Sequence, residues 1–185
     1  MLLLIAYLVL AIRQNIWCWA AAFAGTCIYF VLMYHAQLYM ESALQVFYLG
    51  MAVYGWYQWR HGPGPDNTLP VTTWVPAQHA MAIAAILILT FASGIALDRY
   101  TDAALPYLDS FTTWGAVVTT WMVARKILEN WLYWFVIDSV SVYLYVNREL
   151  YLTALLFVLY LVLIVLGYLA WRKELQPQSP VQAAA

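Results

Sequence analysis

The stretch LENWLYWFVID, residues 128–138, places acidic, amide and aromatic side chains inside an apolar segment. At about 100° per residue of an α-helix, its polar and aromatic residues fall on one narrow stripe that continues for two further turns. The stripe consists of Asn130, Trp131, Trp134, Asp138, Ser141 and Tyr145. An indole face attracts cations, a carboxylate adds charge complementarity, and an amide offers paired hydrogen-bond donors and acceptors. This combination predicts a binding site for a flat, positively charged solute.

Two other segments carry weaker versions of the same pattern. Asn15 and Trp19 share one face of the second predicted helix, and Gln45 and Tyr48 share one face of the third, where Glu41 extends the pattern. We therefore predict that three helices line the solute site.

The two acidic residues near the main stripe have different expected environments. An aspartate inside a membrane helix costs about 2.5 to 3.5 kcal/mol on insertion scales, so it normally faces a cavity or a partner. Asp138 lies well inside its helix with no Lys or Arg nearby on the same face. Glu129 is either a second acid of the site or a solvated residue at the helix end. Trp131 and Trp134, taken singly, are more typical of interface anchors.

The elements that hold these residues are predicted to be membrane helices. Hydrophobic residues make up 65% of the chain, charged residues 9%, and the mean hydropathy is +0.73, values typical of an integral membrane protein. The polar breaks leave seven apolar runs, at about 1–12, 16–34, 38–59, 74–97, 105–124, 131–146 and 150–171. The first run is short for a hydrocarbon core about 30 Å thick. We predict an all-α membrane protein with a single transporter domain over 1–171.

The distribution of Lys and Arg predicts the orientation of the chain. With the N-terminus outside, six of the eight basic residues lie on the cytoplasmic side, and only Arg99 and Arg148 lie outside. The C-terminus is then cytoplasmic, and we expect the tail over 172–185 to be disordered.

The chain also contains an internal repeat. Four features of the third predicted helix recur in the seventh at an offset of 112 residues: Leu38-Tyr39 with Leu150-Tyr151, Tyr48 with Tyr160, Gly55 with Gly167, and Trp59-Arg60 with Trp171-Arg172. Asn15 and Trp19 match Asn130 and Trp134 at an offset of 115, which predicts a difference of three residues in a loop.

The repeat predicts how the helices are organised. Repeat 1 covers about 1–59, repeat 2 covers about 105–171, and the linker helix at about 74–97 makes the two repeats parallel. Transporters with such parallel repeats hold their substrate between the halves. The alternative is that the shared aromatic residues only reflect anchoring at the membrane interface.

Other classes of protein receive less support. The net charge of −1 and the lack of a basic run argue against nucleic acid as a partner. The chain has no metalloprotease or hydrolase motif, its three histidines are scattered, and Cys18 and Cys27 are too far apart on one helix for a disulfide. A membrane-embedded enzyme and a structural membrane subunit are therefore the weaker alternatives, and no cofactor or metal is predicted.

The repeated Leu-Tyr and Gly-x-x-x-Trp features, with WLYWFVID between them, resemble the PnuC family of bacterial vitamin transporters from about Ala11 to Lys173. The resemblance implies a 3+1+3 arrangement of helices similar to SWEET sugar transporters, and a homotrimer in the inner membrane. It also implies uptake of nicotinamide riboside by facilitated diffusion, with a cytosolic kinase that traps the solute. The family motif Trp-x-x-Trp-x-x-x-Asn/Asp falls on Trp131, Trp134 and Asp138.

Asp138 departs from the asparagine typical of members that transport nicotinamide riboside, and this departure makes thiamine the alternative substrate. We expect the two halves to alternate access to the solute site without ion coupling. Proton coupling through Asp138 or Glu129 is the alternative.

Overall fold

The computed structural model describes residues 2–35, 39–64, 67–101, 105–147 and 149–175, and these ranges contain seven α-helices. The helices are α1 Leu2–Ile12, α2 Trp17–His35, α3 Tyr39–Arg60, α4 Pro76–Tyr100, α5 Pro106–Ala124, α6 Asn130–Asn147 and α7 Tyr151–Lys173. Their number and order agree with the seven apolar runs, so this prediction is confirmed for the described residues. Because α7 extends to Lys173, the first residues assigned to the tail are helical, and 176–185 lie outside the described residues.

Local signals account for several helix ends. Pro76 and Pro106 lie in the first turns of α4 and α5, where a missing N–H group costs no hydrogen bond. Gln14 and Lys126 have positive φ angles of 51° and 50°, which interrupt the helical path between α1 and α2 and between α5 and α6.

The contacts between helices form a closed ring. Along this ring α1 packs on α2, α2 on α3, α3 on α5, α5 on α6, α6 on α7, and α7 on α1. Among the described residues, α4 packs mainly on α5 and therefore lies outside the ring. The ring surrounds the space in which a solute site can form.

Backbone hydrogen bonds repeat between the two halves of the chain. The Asn15 N–H donates to the Leu10 carbonyl (2.9 Å), and the Ile127 N–H donates to the Met122 carbonyl (3.0 Å). These two bonds, and the positive φ angles of Gln14 and Lys126, are related by the same offset of 112 residues. The offset thus applies to α1, α2 and their connection as well as to α3.

This register corrects the sequence alignment of α2 with α6. The structural counterpart of Trp19 is Trp131 rather than Trp134, because each of the two indoles packs on a glycine of the following helix and edge-on against a second tryptophan. The two sets are Trp19 with Gly55 and Trp59, and Trp131 with Gly167 and Trp171. The predicted offset of 115 was wrong because two similar Asn-Trp patterns, one turn apart in register, cannot be distinguished without these contacts.

Two tryptophan hydrogen bonds join the halves reciprocally. Trp59 Nε1 of α3 donates to the Val123 carbonyl of α5 at 3.3 Å, and Trp171 Nε1 of α7 donates to the Ala11 carbonyl of α1 at 3.0 Å. The rings of Trp59 and Trp171 also contact each other, with their centroids 6.1 Å apart. The buried core of the protein is centred on these contacts.

The outer surface of the bundle is apolar. Large side chains such as Ile88, Leu152 and Leu155 are exposed, as expected for residues that face lipid. Among the described helices, Pro76–Tyr100 and Tyr151–Lys173 are both long enough and apolar enough to span a membrane. Leu2–Ile12 and Trp17–Leu32 are apolar but shorter.

Candidate functional site

A cavity of about 230 Å³ lies between α1, α6 and α7, with α5 contributing at one end. Its walls are mostly apolar. The lining residues are Leu4, Tyr7, Leu8, Ala11, Val123, Trp131, Trp134, Asp138, Phe157, Tyr160 and Ile164. Three of them, Trp131, Trp134 and Asp138, are the residues that carry the predicted motif.

The motif residues meet at this cavity because their spacing places them on one face of α6. Trp131 is 2% exposed, and its ring packs edge-on against Trp171 at a centroid distance of 5.4 Å. A Cβ atom at Gly167 would lie 2.5 Å from Trp131 Cη2, so the absence of a side chain at Gly167 lets the indole pack against the backbone of α7. Trp131 is therefore held in one orientation at the cavity wall.

Asp138 supplies a carboxylate to an otherwise apolar wall. Its side chain is 5% exposed, and no lysine or arginine is among the described residues that line the cavity. Tyr160 of α7, which also lines the cavity, lies within electrostatic range of this carboxylate and of Tyr29 on α2. An acidic group without a cationic partner, facing a cavity, can bind a positively charged solute.

Two further polar groups at the cavity wall have no hydrogen-bond partner among the described residues. They are Trp131 Nε1 and the hydroxyl of Tyr160. A buried polar group without a partner costs about 1 to 3 kcal/mol. Both atoms are themselves buried, so a solute with hydroxyl or amide groups can form hydrogen bonds with them only if the two side chains turn toward the cavity.

Asn130 and Ser141 are buried on α6, but they are not among the described residues that line this cavity. Asn130 Nδ2 donates to the Ile127 carbonyl at 2.6 Å, while Oδ1 has no partner among the described residues. Asn130 therefore stabilises the first turn of α6 and has one acceptor free.

The predicted residues of the first half lie elsewhere. Asn15 precedes α2, and its Oδ1 accepts a hydrogen bond from the Trp17 N–H at 3.0 Å, so it acts as a helix cap. Trp19 packs in the core between Tyr7 and Trp59. Gln45 and Tyr48 are half-buried on α3 and are not among the described lining residues. Glu41 lies outside the residues whose side chains are described.

Glu129 also lies apart from the cavity. Its Oε2 atom accepts a hydrogen bond from the Trp74 N–H at 3.3 Å, which ties the segment after α3 to the start of α6. A parallel bridge between Thr72 and Ile127 strengthens the same connection. The interpretation of Glu129 as a residue at the helix end fits this contact better than a direct role in the cavity.

Sequence reasoning missed the contribution of α1 and α7. Tyr7 and Leu8 of α1, and Phe157 and Tyr160 of α7, line the cavity together with the residues of α6. The only signal in the sequence was the match of Tyr48 with Tyr160 in the repeat. Which side of α1 faces α6 depends on ring closure between the first and last helices, and the sequence does not indicate that contact.

The ring of helices, with its apolar outer surface and internal cavity, has the form expected of a multi-pass membrane protein. Residues 1–173 match the family described as nicotinamide mononucleotide transporter. The chain therefore belongs to the nicotinamide mononucleotide transporter (PnuC) family, as the motif predicted.

Individual relatives agree with this membership. The chain is 28% identical over 169 residues to the riboflavin/roseoflavin transporter RibM of Streptomyces davaonensis, with 89% of this chain and 78% of that protein covered. It is 21% identical over 166 residues to the nicotinamide riboside transporter PnuC of Escherichia coli, with 76% and 70% covered. The crystal structure of the vitamin B3 transporter PnuC superposes with a TM-score of 0.71 at 22% identity, covering 94% of this chain and 78% of that chain.

These similarities confirm several predictions. The protein is an all-helical, multi-pass membrane transporter rather than an enzyme, and its family takes up small molecules of the vitamin class. The two relatives are named for different vitamins, so membership of the family does not specify which vitamin a given member transports.

Proposed function

We propose that the protein takes up nicotinamide riboside across the inner membrane by facilitated diffusion, with Trp131, Trp134 and Asp138 contacting the solute. The observation that carries this proposal is Asp138, a buried acidic residue that lines the cavity together with Trp131 and Trp134, while no lysine or arginine is among the described lining residues. Nicotinamide riboside is a flat aromatic cation with ribose hydroxyls. Its charge, shape and hydrogen-bonding groups each have a counterpart in the cavity wall.

The expected interactions are individually moderate. A cation placed over an indole is stabilised by about 2 kcal/mol when the pair is desolvated. A hydrogen bond to an ionised carboxylate adds about 1.5 to 3 kcal/mol. The cost of ordering the solute offsets part of this gain, so micromolar affinity is the expected range.

Riboflavin is the second candidate, because RibM is 28% identical to this chain. Riboflavin is also aromatic and carries hydroxyl groups, but it is neutral and larger. Thiamine is an aromatic cation like nicotinamide riboside, so charge does not distinguish these two candidate substrates. The carboxylate of Asp138 favours the two cations over riboflavin, and the apolar walls suit all three.

We propose a 3+1+3 parallel repeat, similar to SWEET transporters, in which the halves formed by α1–α3 and α5–α7 alternate access to the cavity. The contacts repeated at an offset of 112 residues, and the position of α4 outside the ring, support this arrangement. A homotrimer, a cytosolic kinase that traps the solute, and a cytoplasmic C-terminus remain proposals that rest on the family resemblance and the distribution of basic residues.

Calorimetric titration of the purified full-length protein in detergent tests the substrate. Nicotinamide riboside, thiamine and riboflavin are titrated separately into the unsubstituted protein and into Trp131→Ala. We expect nicotinamide riboside to bind with micromolar affinity and Trp131→Ala to weaken it about tenfold or more, on loss of the indole face. Riboflavin binding that exceeds binding of both cations would replace the proposal with riboflavin transport.

A further inference from the structure

A chain of polar contacts crosses the boundary between the two halves at the basic end of the bundle. We define the basic end as the end at which α1, α3, α5 and α7 finish, close to Arg13, Arg60, Arg125, Lys126, Arg172 and Lys173. Lys126 Nζ donates to Gln14 Oε1 at 2.9 Å, and Gln14 Nε2 donates to Glu174 Oε2 at 2.6 Å. These two hydrogen bonds therefore connect Lys126 of the second half to Gln14 of the first half, and Gln14 to Glu174 of the second half.

Lys126 is unusual for a basic residue because it is buried, with 6% of its surface exposed. Its Nζ atom lies 4.6 Å from the ring centroid of Trp59, on the other half of the molecule. Burial lowers the pKa of the Lys126 ammonium group, and the Glu174 carboxylate opposes that shift. The ammonium group therefore depends on Gln14, Trp59 and Glu174 to offset the loss of water.

Gln14 and Lys126 occupy equivalent positions of the repeat but have different side chains. Both have the left-handed backbone conformation, with φ near 50°, which is uncommon for residues other than glycine. Two lysines at these positions would repel each other, whereas a lysine and a glutamine form a donor and acceptor pair. The two halves are therefore joined here by a contact between positions that are equivalent in the repeat but carry different side chains.

The contact lies directly beyond one end of the cavity. Ala11 and Val123, which line the cavity, are the two residues whose carbonyls accept the hydrogen bonds of Trp171 and Trp59. Beyond this pair of tryptophans, Lys126, Gln14 and Glu174 form the next layer. A solute that leaves the cavity through the basic end must separate both layers.

We propose that Lys126, Gln14 and Glu174 form a latch that holds the basic end closed and sets how often it opens, without contacting the transported solute. This inference rests on the proposed transport through the cavity, but it concerns a separate step. A buried ammonium group regains its hydration when the halves separate, so a latch of this kind opens at a lower cost than an apolar contact of equal area. It is therefore suited to a joint that must open in every cycle.

The test uses Cys18, which is fully buried on α2 and lies within electrostatic range of Lys126. In a Cys27→Ser background Cys18 is the single thiol, and its rate of reaction with a maleimide is measured on folded, full-length protein in detergent. Gln14→Ala leaves the buried ammonium group without its acceptor. We expect roughly tenfold faster labelling, because hydrogen bonds to charged groups contribute about that factor or more.

A double-mutant cycle separates the latch from general loosening of the loop. In a Lys126→Met background no ammonium group needs an acceptor, so adding Gln14→Ala removes only the hydrogen bond from Gln14 to Glu174 and is expected to speed labelling by no more than about threefold. Gln58→Ala is the matched control, since it removes another partly buried amide, which donates to Tyr54, without touching the latch. Equal acceleration by Gln14→Ala in both backgrounds, or by Gln58→Ala, would overturn the latch.

Glu174→Ala provides a second route if Gln14→Ala does not fold, since Glu174 is exposed at the end of α7 and its loss is also expected to speed labelling. Calorimetry of nicotinamide riboside on the same samples keeps the two proposals apart. If all latch variants are labelled at the rate of the unsubstituted protein and still bind the vitamin, the latch is rejected and the proposed function is retained. Faster labelling without binding of any vitamin supports the latch and rejects the proposed substrate.

Discussion

At the scale of single residues, the proposed preference for a cationic vitamin depends on Asp138. The other described lining residues are aliphatic or aromatic, so Asp138 is the acidic group from which we expect a preference for positively charged solutes. A buried carboxylate without a cationic partner destabilises the folded protein, and such a cost is typical of residues kept for binding rather than for packing.

Asp138→Asn is expected to weaken binding of nicotinamide riboside about tenfold, because the charge is lost while the shape is kept. Binding of neutral riboflavin is expected to change less than threefold, and the melting temperature is expected to rise because a buried charge is removed. Calorimetry and thermal unfolding in detergent measure both effects. Asp98→Asn, the same change at an exposed position of α4, is the control and is expected to alter neither. Unchanged affinity for nicotinamide riboside in Asp138→Asn would remove Asp138 from the site.

At the scale of elements, two glycines set the distance between neighbouring helices. Gly55 of α3 accommodates the ring of Trp19 on α2, and Gly167 of α7 accommodates Trp131 on α6. The pairs are equivalent in the repeat, but in the described structure only Trp131 reaches the cavity. Equivalent contacts therefore stabilise both halves, while only one also shapes the candidate binding site.

Substitution of either glycine by alanine should separate the effect on stability from the effect on solute binding. Gly55→Ala and Gly167→Ala are each expected to cost about 1 to 3 kcal/mol of stability, because the new methyl group overlaps an indole ring. Only Gly167→Ala should also weaken solute binding, since it displaces Trp131 at the cavity wall. Thermal unfolding and calorimetry test both statements, with Gly50→Ala as control because a Cβ there has nothing within 4 Å among the described atoms. Equal loss of binding in Gly55→Ala would contradict this division.

At the scale of the whole molecule, the halves are held together by contacts that each half makes to the other. Trp59 and Trp171 each donate a hydrogen bond across the boundary, and the offset of 112 residues relates both the donors and the acceptors. These two hydrogen bonds are therefore equivalent by position, whereas the proposed latch of Lys126, Gln14 and Glu174 has different side chains at the equivalent positions 14 and 126.

Trp59→Phe and Trp171→Phe are expected to reduce stability by similar amounts, about 1 kcal/mol or more each, because each removes one crossing hydrogen bond and part of a ring. Thermal unfolding of the two variants measures this. Trp56→Phe on α3 makes the same chemical change at a half-buried indole that forms no crossing bond among the described residues, and it should cost less. A large difference between Trp59→Phe and Trp171→Phe would show that the two crossing bonds are not equivalent.

Much of this protein follows from its sequence alone. Long apolar runs separated by polar breaks give seven helices, because backbone groups in lipid must satisfy their hydrogen bonds within each segment. The spacing of Trp131, Trp134 and Asp138 determined that they share one face of α6, since helical periodicity is a local property. The matches at an offset of 112 residues also predicted the equivalence of Trp59 with Trp171, which form corresponding hydrogen bonds.

The tertiary structure decided which of the remaining candidate site residues lie at the cavity. The sequence placed Asn15, Trp19, Gln45 and Tyr48 in the site, but a helix has several faces, and only packing determines which one reaches the cavity. The packing of α7 on α6 and on α1 brought Tyr160 and Tyr7 to the cavity wall. The register of α2 with α6 depends on contacts of Trp19 and Trp131 with residues about forty positions away, and the burial of Lys126 depends on Gln14, which lies 112 positions away. No local pattern in the sequence encodes these contacts.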